Sequence, residues 1–426
     1  MTQTEKAWES LFQRYNILKE IEKNGYFIID AKTVKTVREP RLMTKFDHSN
    51  NLPNIFKKND ISILPISRSK YIIGQFEVYK KINHKQNIKP IQVSFPTNIT
   101  TIDPFNLYSE NAALHCAYVS GMIDDVLGEE TIQTISGRMS SGKFNFLIHN
   151  KKGLDVNINV TNSQIEIDSG LESDNHFIII EAKNETVEDF NIRQLYYPYR
   201  LWKEKTYKNI IPILLIYSND IFSFFIFKFL NPIRYNSLEL VERKDYVISH
   251  EQIEFEDIID IFNKVKLQKE PQVPFPQADS FPRVIDLLGL LYHNDLDKQT
   301  ITSNYDFTER QTDYYTNAGI YLGLIDKYRD QNTKKTMFCL TNKGRKILNM
   351  RFKQKYLSLA SSILSHKPFY LVMKEYLQTS SPPTKERLID IMKTCNVYNV
   401  NSEKTFKRRA QTLIKWVEWI LELPIM

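Results

Sequence analysis

The segment from Gln164 to Lys183 holds the residues whose types and spacing could do chemistry. In an extended chain alternate residues share a face. In HFIIIEAK, Phe177, Ile179, Glu181 and Lys183 therefore point one way and Ile178, Ile180 and Ala182 the other. In the preceding QIEID, Ile165 and Ile167 likewise oppose Glu166 and Asp168. If the two strands pair, with LESDN inside the connecting loop, Asp168 and Glu181 converge beside Lys183. Hard divalent ions such as Mg²⁺ take oxygen ligands and keep several waters, so two carboxylates and a phosphate oxygen make a suitable site. A metal held there stabilises charge developing on a phosphodiester and lowers the pKa of bound water. A neighbouring ammonium orients that water or neutralises the pentavalent phosphate. The chemistry predicted by these residues is metal-assisted phosphodiester hydrolysis.

Asp168, Glu181, Ala182 and Lys183, with an apolar strand before the Glu and an aromatic, Gln-containing helix after it, resemble the PD-(D/E)XK nuclease superfamily, specifically its type II restriction endonucleases. The resemblance implies Asp168 and Glu181 as ligands of Mg²⁺ and Lys183 as the catalytic lysine. It also implies supporting roles for Gln164, for Gln194 in Arg193-Gln194-Leu195-Tyr196-Tyr197, and for Glu110 on a helix ahead of the motif. The residue before Asp168 is Ile167, where the family name has Pro. A second run of the same spacing, Asp30-Ala31-Lys32, is preceded by a helix rather than by an acid-bearing strand, and reads as an ordinary strand end. The run from Arg38 to Phe76, and SGRMSSGKFNF from Ser136 to Phe146, are similar to stretches of the same group of restriction enzymes. In the latter, Arg138 and Lys143 with Ser136, Ser140 and Ser141 offer donors for phosphates or base edges; an ordinary polar hairpin is the bland alternative.

The order of elements around this constellation reads as a mixed α/β core over residues 90–269, and the resemblance implies a mixed sheet within it. Its elements are a helix from Asn106 to Leu127, the strands QIEID, HFIIIEAK, IPILLIYS and IFSFFIFKF, and a helix over VEDFNIRQLYYPYRLWKE. The apolar run from Ile210 to Leu230 is broken by Ser218, Asn219 and Asp220, short of the roughly 18 uninterrupted residues of a membrane helix. It reads as two buried strands joined by a turn, with no membrane association. Ahead of the core, residues 1–89 read as an α+β domain, a further DNA-contacting candidate. One helix carries Trp8, Leu11, Phe12, Tyr15, Leu18 and Ile21 up to Gly25, and the strand-like runs YFIID, ISILPI and KYIIGQFEVY follow. Residues 270–282, with Pro271, Pro274, Pro276 and Pro282, read as a stiff linker.

Beyond it the chain is mainly helical. Thr308-Glu309-Arg310-Gln311 is a capping box. The helix it opens would turn Tyr315, Ala318 and Leu322 inward, leaving Arg310, Gln311, Tyr314 and Asn317 for bases and phosphates. IDKYRDQNTKKTMFCLT alternates like two strands with Lys334 and Lys335 at the tip. Residues 283–350 thus resemble the winged helix-turn-helix of certain restriction enzymes, in which one helix enters the major groove while the wing touches backbone. Residues 351–426 end in a helix carrying Lys404, Lys407 and Arg408 off its apolar stripe, a second basic unit and a candidate second winged helix.

Composition bounds the reading. With 42% hydrophobic and 25% charged residues, the 426-residue chain is neither disordered nor fibrous and has length for two to four compact units. Only 12 glycines occur, and neither GxGxxG nor GxxxxGK[ST] is present, which removes the commonest nucleotide cradles. The net charge of +7 is not spread evenly: from Pro276 onward 23 basic residues face 15 acidic ones, as expected of a part that meets a polyanion. Cys116, Cys339 and Cys395 lie far apart without metal spacing, and the N-terminus lacks an apolar signal core, so a cytoplasmic location is expected. Together these features predict a Mg²⁺-dependent, sequence-specific double-stranded DNA endonuclease of restriction type. One constellation per chain and two strands to cut imply a homodimer or transient pairing on DNA, and the family implies a cognate DNA methyltransferase. The alternatives are a non-catalytic DNA-binding regulator and a PD-(D/E)XK nuclease of repair or mobile-element function.

Overall fold

The computed structural model describes residues 3–425 except 85–87, 108, 151–152, 250 and 305–306. The apolar residues expected on one N-terminal helix form two, Gln3–Arg14 and Ile17–Asn24, because Asn16 takes a left-handed backbone with φ 49°. Gly25, at φ 81°, closes the second and bonds its N–H to the Ile21 carbonyl. These helices pack Trp8, Leu11, Phe12 and Ile17 against Ile29, Ile63 and Ile73. The last three residues belong to a three-stranded antiparallel sheet of Tyr26–Asp30, Lys70–Gly74 and Ser62–Pro65, with Lys70–Gly74 in the middle. Asp30 of the Asp-Ala-Lys repeat is a helix cap whose carboxylate accepts the Thr33 N–H at 2.7 Å.

The central part is a seven-stranded mixed sheet. Its order across the sheet is Ile91–Val93, Leu238–Ile248, Ile221–Phe229, Asn209–Ser218, His176–Lys183, Gln164–Glu172 and Ile132–Ser140. His176–Lys183 runs parallel to Asn209–Ser218, joined by a crossover containing the helix Arg193–Lys203; Leu238–Ile248 and Ile91–Val93 are also parallel, and the remaining pairs are antiparallel. Both faces are covered, which explains the near-continuous apolar run in HFIIIEAK. Ile178, Ile180, Ile213 and Leu215 meet Leu114 and Ile123 of the helices Glu110–Val119 and Met122–Leu127. Phe177 and Ile179 meet Leu195 and Tyr196 on the other side, with Phe144 and Phe146. The Ile210 to Leu230 run is the expected strand pair, turned by Asn219 and Asp220 at φ 54° and 61°, the positive values a two-residue hairpin turn demands.

Several local expectations change. The helix read over 106–127 starts at Glu110, capped by Ser109, and breaks at Gly121, where φ is 73°. The helix after HFIIIEAK starts only at Arg193, because Asp189–Asn191 is a strand paired with Tyr79–Lys81. Leu171 and Glu172 lie in the strand rather than in the loop. SGRMSSGKFNF is not a hairpin: Ile132–Ser140 pairs with Gln164–Glu172, whereas Lys143–His149 pairs with Asp155–Thr161. Phe76, Val78 and Ile82 are buried in the central core rather than the N-terminal one.

The C-terminal part is helical, with a three-stranded sheet of Leu296–Asp297, Thr336–Leu340 and Ile325–Arg329, whose short first strand sequence periodicity did not signal. The capping box at Thr308 and Gln311 is formed in both directions. A single apolar core extends from Val247 to Leu423 and takes in Ile258 of the helix Phe255–Lys264. The Pro-rich segment is not a free linker: Phe275 and Ala278 are buried, and the Ala278 carbonyl accepts the Trp416 indole N–H at 2.7 Å. Among the described residues no helix is long and apolar enough to cross a membrane.

Candidate active site

The register between Gln164–Glu172 and His176–Lys183 runs from Glu172 opposite Phe177 to Ser169 opposite Ile180 and ends there. Where it ends, the Asp168 carboxylate takes the Ala182 N–H at 2.8 Å, which ties Asp168 to the backbone between Glu181 and Lys183. Glu181 and Lys183 are each only 7% exposed. The Lys183 ammonium donates to Glu181 Oε1 at 2.6 Å and to the Ala182 carbonyl at 3.1 Å, and lies 3.8 Å from Glu110 Oε1. Glu110 is brought there by the helix it opens, whose cap Ser109 accepts the Ala112 N–H. From the opposite face, Gln194 at the start of Arg193–Lys203 donates its amide to Glu181 Oε1. Gln194 Oε1 is buried and has no hydrogen-bond partner among the described residues.

The electrostatics are those of a site with carboxylates in excess. Burial pushes the Glu181 carboxyl up to about 7, with Asp168 adding to the rise and Lys183 opposing it. Burial also raises Asp168, against the pull of the Ala182 N–H and Lys183, and it raises Glu110, with Glu181 adding repulsion. Burial would lower the Lys183 ammonium, but Glu181, Glu110 and Asp47 outweigh it and hold its pKa above the ordinary lysine value. The carboxyl oxygens of Asp168, Glu181 and Glu110, beside the unsatisfied Gln194 amide oxygen, are an oxygen donor set of the kind that hard divalent cations take. Among the described residues no three His, Cys, Asp or Glu side chains form a cage.

These groups line a cleft of about 840 Å³. Gln164 and Arg138 line it too, but Gln164 is exposed, and Arg138 is held by Glu166 at 3.1 Å across the sheet edge. Lys143 is exposed and does not line it. The residues missed by sequence reading come from both sides of the domain boundary: Arg41, Lys45, Asp47 and Arg68 from the N-terminal part, and Arg193. Asp47 is 3.7 Å from the Arg193 guanidinium; burial would raise its carboxyl, but Arg193, Lys45 and Lys183 hold it below the usual carboxylate range. The one available signal was the resemblance over Arg38 to Phe76, which named a stretch and no residue.

The remaining candidates lie in the C-terminal part. Arg310 is exposed and its guanidinium lies over the Tyr314 ring, with Nε bonded to the Tyr314 hydroxyl. Tyr314 and Asn317 are partly buried, and Gln311 is occupied with the Thr308 cap. Lys334 is exposed at the strand turn, whereas Lys335 is ion-paired with Asp297. Lys404, Lys407 and Arg408 are exposed on Glu403–Glu422. Arg409, which sequence reading passed over, is partly buried on the same helix.

The chain matches three family models in succession, each described only as a domain of unknown function: DUF6996 over residues 5–73, DUF6997 over 74–247 and DUF7226 over 283–425. No curated protein and no solved structure matches it.

Proposed function

We propose that the protein is a sequence-specific double-stranded DNA endonuclease of restriction type, with a PD-(D/E)XK nuclease core and a C-terminal winged-helix DNA-reading part. The observation that carries the reading is the convergence of Asp168, Glu181, Lys183 and Gln194 in one cleft, with Asp168 bonded to the backbone of the Glu181-Ala182-Lys183 strand. Asp168 and Glu181 would hold Mg²⁺, which when bound supplies charge stabilisation at the phosphate and a more acidic water. Gln194 fixes the Glu181 carboxylate in place. Lys183, kept cationic by its acidic neighbours, donates to a phosphate oxygen or orients the attacking water. The exposed basic residues Arg310, Lys334, Lys404, Lys407 and Arg408 would meet DNA, and the excess of positive charge beyond Pro276 supports that assignment. One constellation per chain implies a homodimer or transient dimer on DNA.

Digestion of unmethylated phage DNA in Mg²⁺ and in EDTA, beside Lys183→Ala, tests the reading. Discrete bands that require Mg²⁺ and vanish in the variant are expected. DNA that stays intact yet shifts on a gel would overturn the catalytic part and leave a DNA-binding regulator; cleavage without fixed bands would point to a repair or mobile-element nuclease.

A further inference from the structure

Two arginines of the N-terminal domain face the same cleft as the carboxylates. Arg41, on the short helix Pro40–Thr44, and Arg68, on the turn between Ser62–Pro65 and Lys70–Gly74, are both exposed and both line the cleft. Neither guanidinium makes an ion pair or hydrogen bond among the described residues, whereas Arg138, Lys183 and Arg193 of the same cleft are paired with Glu166, Glu181 and Asp47. An unpaired guanidinium presents five N–H donors in a fork that matches phosphate.

The loops that carry them are fastened to the central domain. After Arg41, the chain from Phe46 to Ser49 is pinned to the strand Asp189–Asn191. The Asn191 N–H donates to the Asp47 carbonyl at 2.9 Å, His48 Nδ1 bonds the Asp189 carbonyl at 2.5 Å, and the Ser49 N–H donates to Asp189 Oδ1 at 2.9 Å. Just before Arg68, the Pro65 carbonyl accepts the Tyr197 hydroxyl at 2.9 Å, and the Ile66 carbonyl accepts the Thr161 N–H at 2.9 Å. Tyr197 belongs to the helix that also carries Gln194. The two arginines are thus held by the framework that holds Glu181, not by a module free to swing away.

We propose that the N-terminal domain is a fixed phosphate clamp, in which Arg41 and Arg68 grip the phosphodiester backbone of duplex DNA lying in the cleft. The proposal deepens the nuclease reading and rests on it for the identity of the ligand. Contacts of this kind set position rather than sequence preference.

The test measures binding of the full chain to a fluorescein-labelled duplex of random sequence by anisotropy, in EDTA, over a range of salt. Each phosphate contact contributes about −0.9 to the slope of log K against log salt, so Arg41→Ala/Arg68→Ala is expected to make the slope shallower by about 2 and to weaken binding more than about tenfold at about 0.1 M salt. Arg41→Lys/Arg68→Lys keeps the charges and should retain most of the slope. Both side chains are exposed, and unchanged thermal unfolding of each variant confirms that the fold is intact. Digestion by the unsubstituted protein in Mg²⁺ is scored separately. If it cuts and the slope is the same in the double alanine variant, the clamp falls and the nuclease stands. If the DNA remains whole but the slope drops, the clamp stands and the nuclease falls. Failure of the unsubstituted protein to bind the duplex at all would overturn the clamp.

Discussion

Gln194 shows what one buried amide does for a metal-ligand candidate. Its donor holds one oxygen of Glu181, the oxygen that Lys183 also holds, so the carboxylate cannot rotate freely. Removing a group that orients a metal ligand typically costs about 10–100-fold in metal affinity or activity. Gln194→Ala is accordingly expected to cut about 10–100-fold more slowly at low Mg²⁺ and to recover in part as Mg²⁺ is raised; a Mg²⁺ titration of cleavage rate checks it, and an unchanged midpoint would remove Gln194 from the site. Glu181→Gln, nearly isosteric, should abolish cleavage and also lower the unfolding temperature, because it takes the close counter-charge from the buried Lys183 ammonium. Asp168→Ala is a poorer probe. It would also strip the Ala182 N–H of its acceptor, at about 1–3 kcal/mol.

At the scale of elements, the helix Phe281–His293 is fastened to the end of the central sheet through Asp286. Its carboxylate accepts from the Thr186 N–H and hydroxyl, both at 3.2 Å, and from the Ser218 hydroxyl at 2.8 Å. Thr186 follows Lys183 by three residues, so the C-terminal part is tied directly to the segment leaving the site. Burial pushes Asp286 up to about 6, against the pull of those hydrogen bonds and of Arg283. A carboxyl raised in the fold binds its proton more tightly folded than unfolded. Its linked stability is therefore fully present below the unfolded value near 4 and is lost as pH rises through about 6. The penalty of Asp286→Ala should thus be larger at about pH 4 than at about pH 7.5, by about 2 kcal/mol. Urea unfolding at the two pH values measures it, and an equal or larger penalty at the higher pH would contradict it.

For the molecule as a whole, the shared core from Val247 to Leu423 decides what can be taken apart. Phe281 packs on Trp416 and Trp419 at 4.9 and 4.3 Å between ring centroids, and the Trp416 indole is bonded to Ala278. Residues 283–350 expressed alone would keep the packing of the first helix on Glu309–Tyr321, Thr336–Leu340 and Asn342–Leu348 but lose Phe281 and the cover that Glu403–Glu422 supplies. That fragment is expected to unfold at a lower temperature than residues 247–426, with circular dichroism as the readout. Within the full chain, Trp416→Ala should cost about 3–5 kcal/mol, as for other large buried aromatics.

Much of this protein is written locally. Strand parity placed Glu181 beside Lys183 and opposed Ile178 and Ile180 to them; Asn219 and Asp220 marked a hairpin; Thr308 and Gln311 marked a helix start. Each depends on a period of two or 3.6 residues, or on a cap within three, and such signals survive in a bare sequence. What the tertiary structure decided has no local period. The register stops at Ser169, which frees Asp168 to reach Ala182. Asp47 meets Arg193 across 146 positions of chain, and the Pro-rich segment becomes a buried strap under Trp416 rather than a linker. Each of these outcomes depends on which distant surfaces meet, and that is settled by burying apolar area across the whole chain rather than by any segment alone.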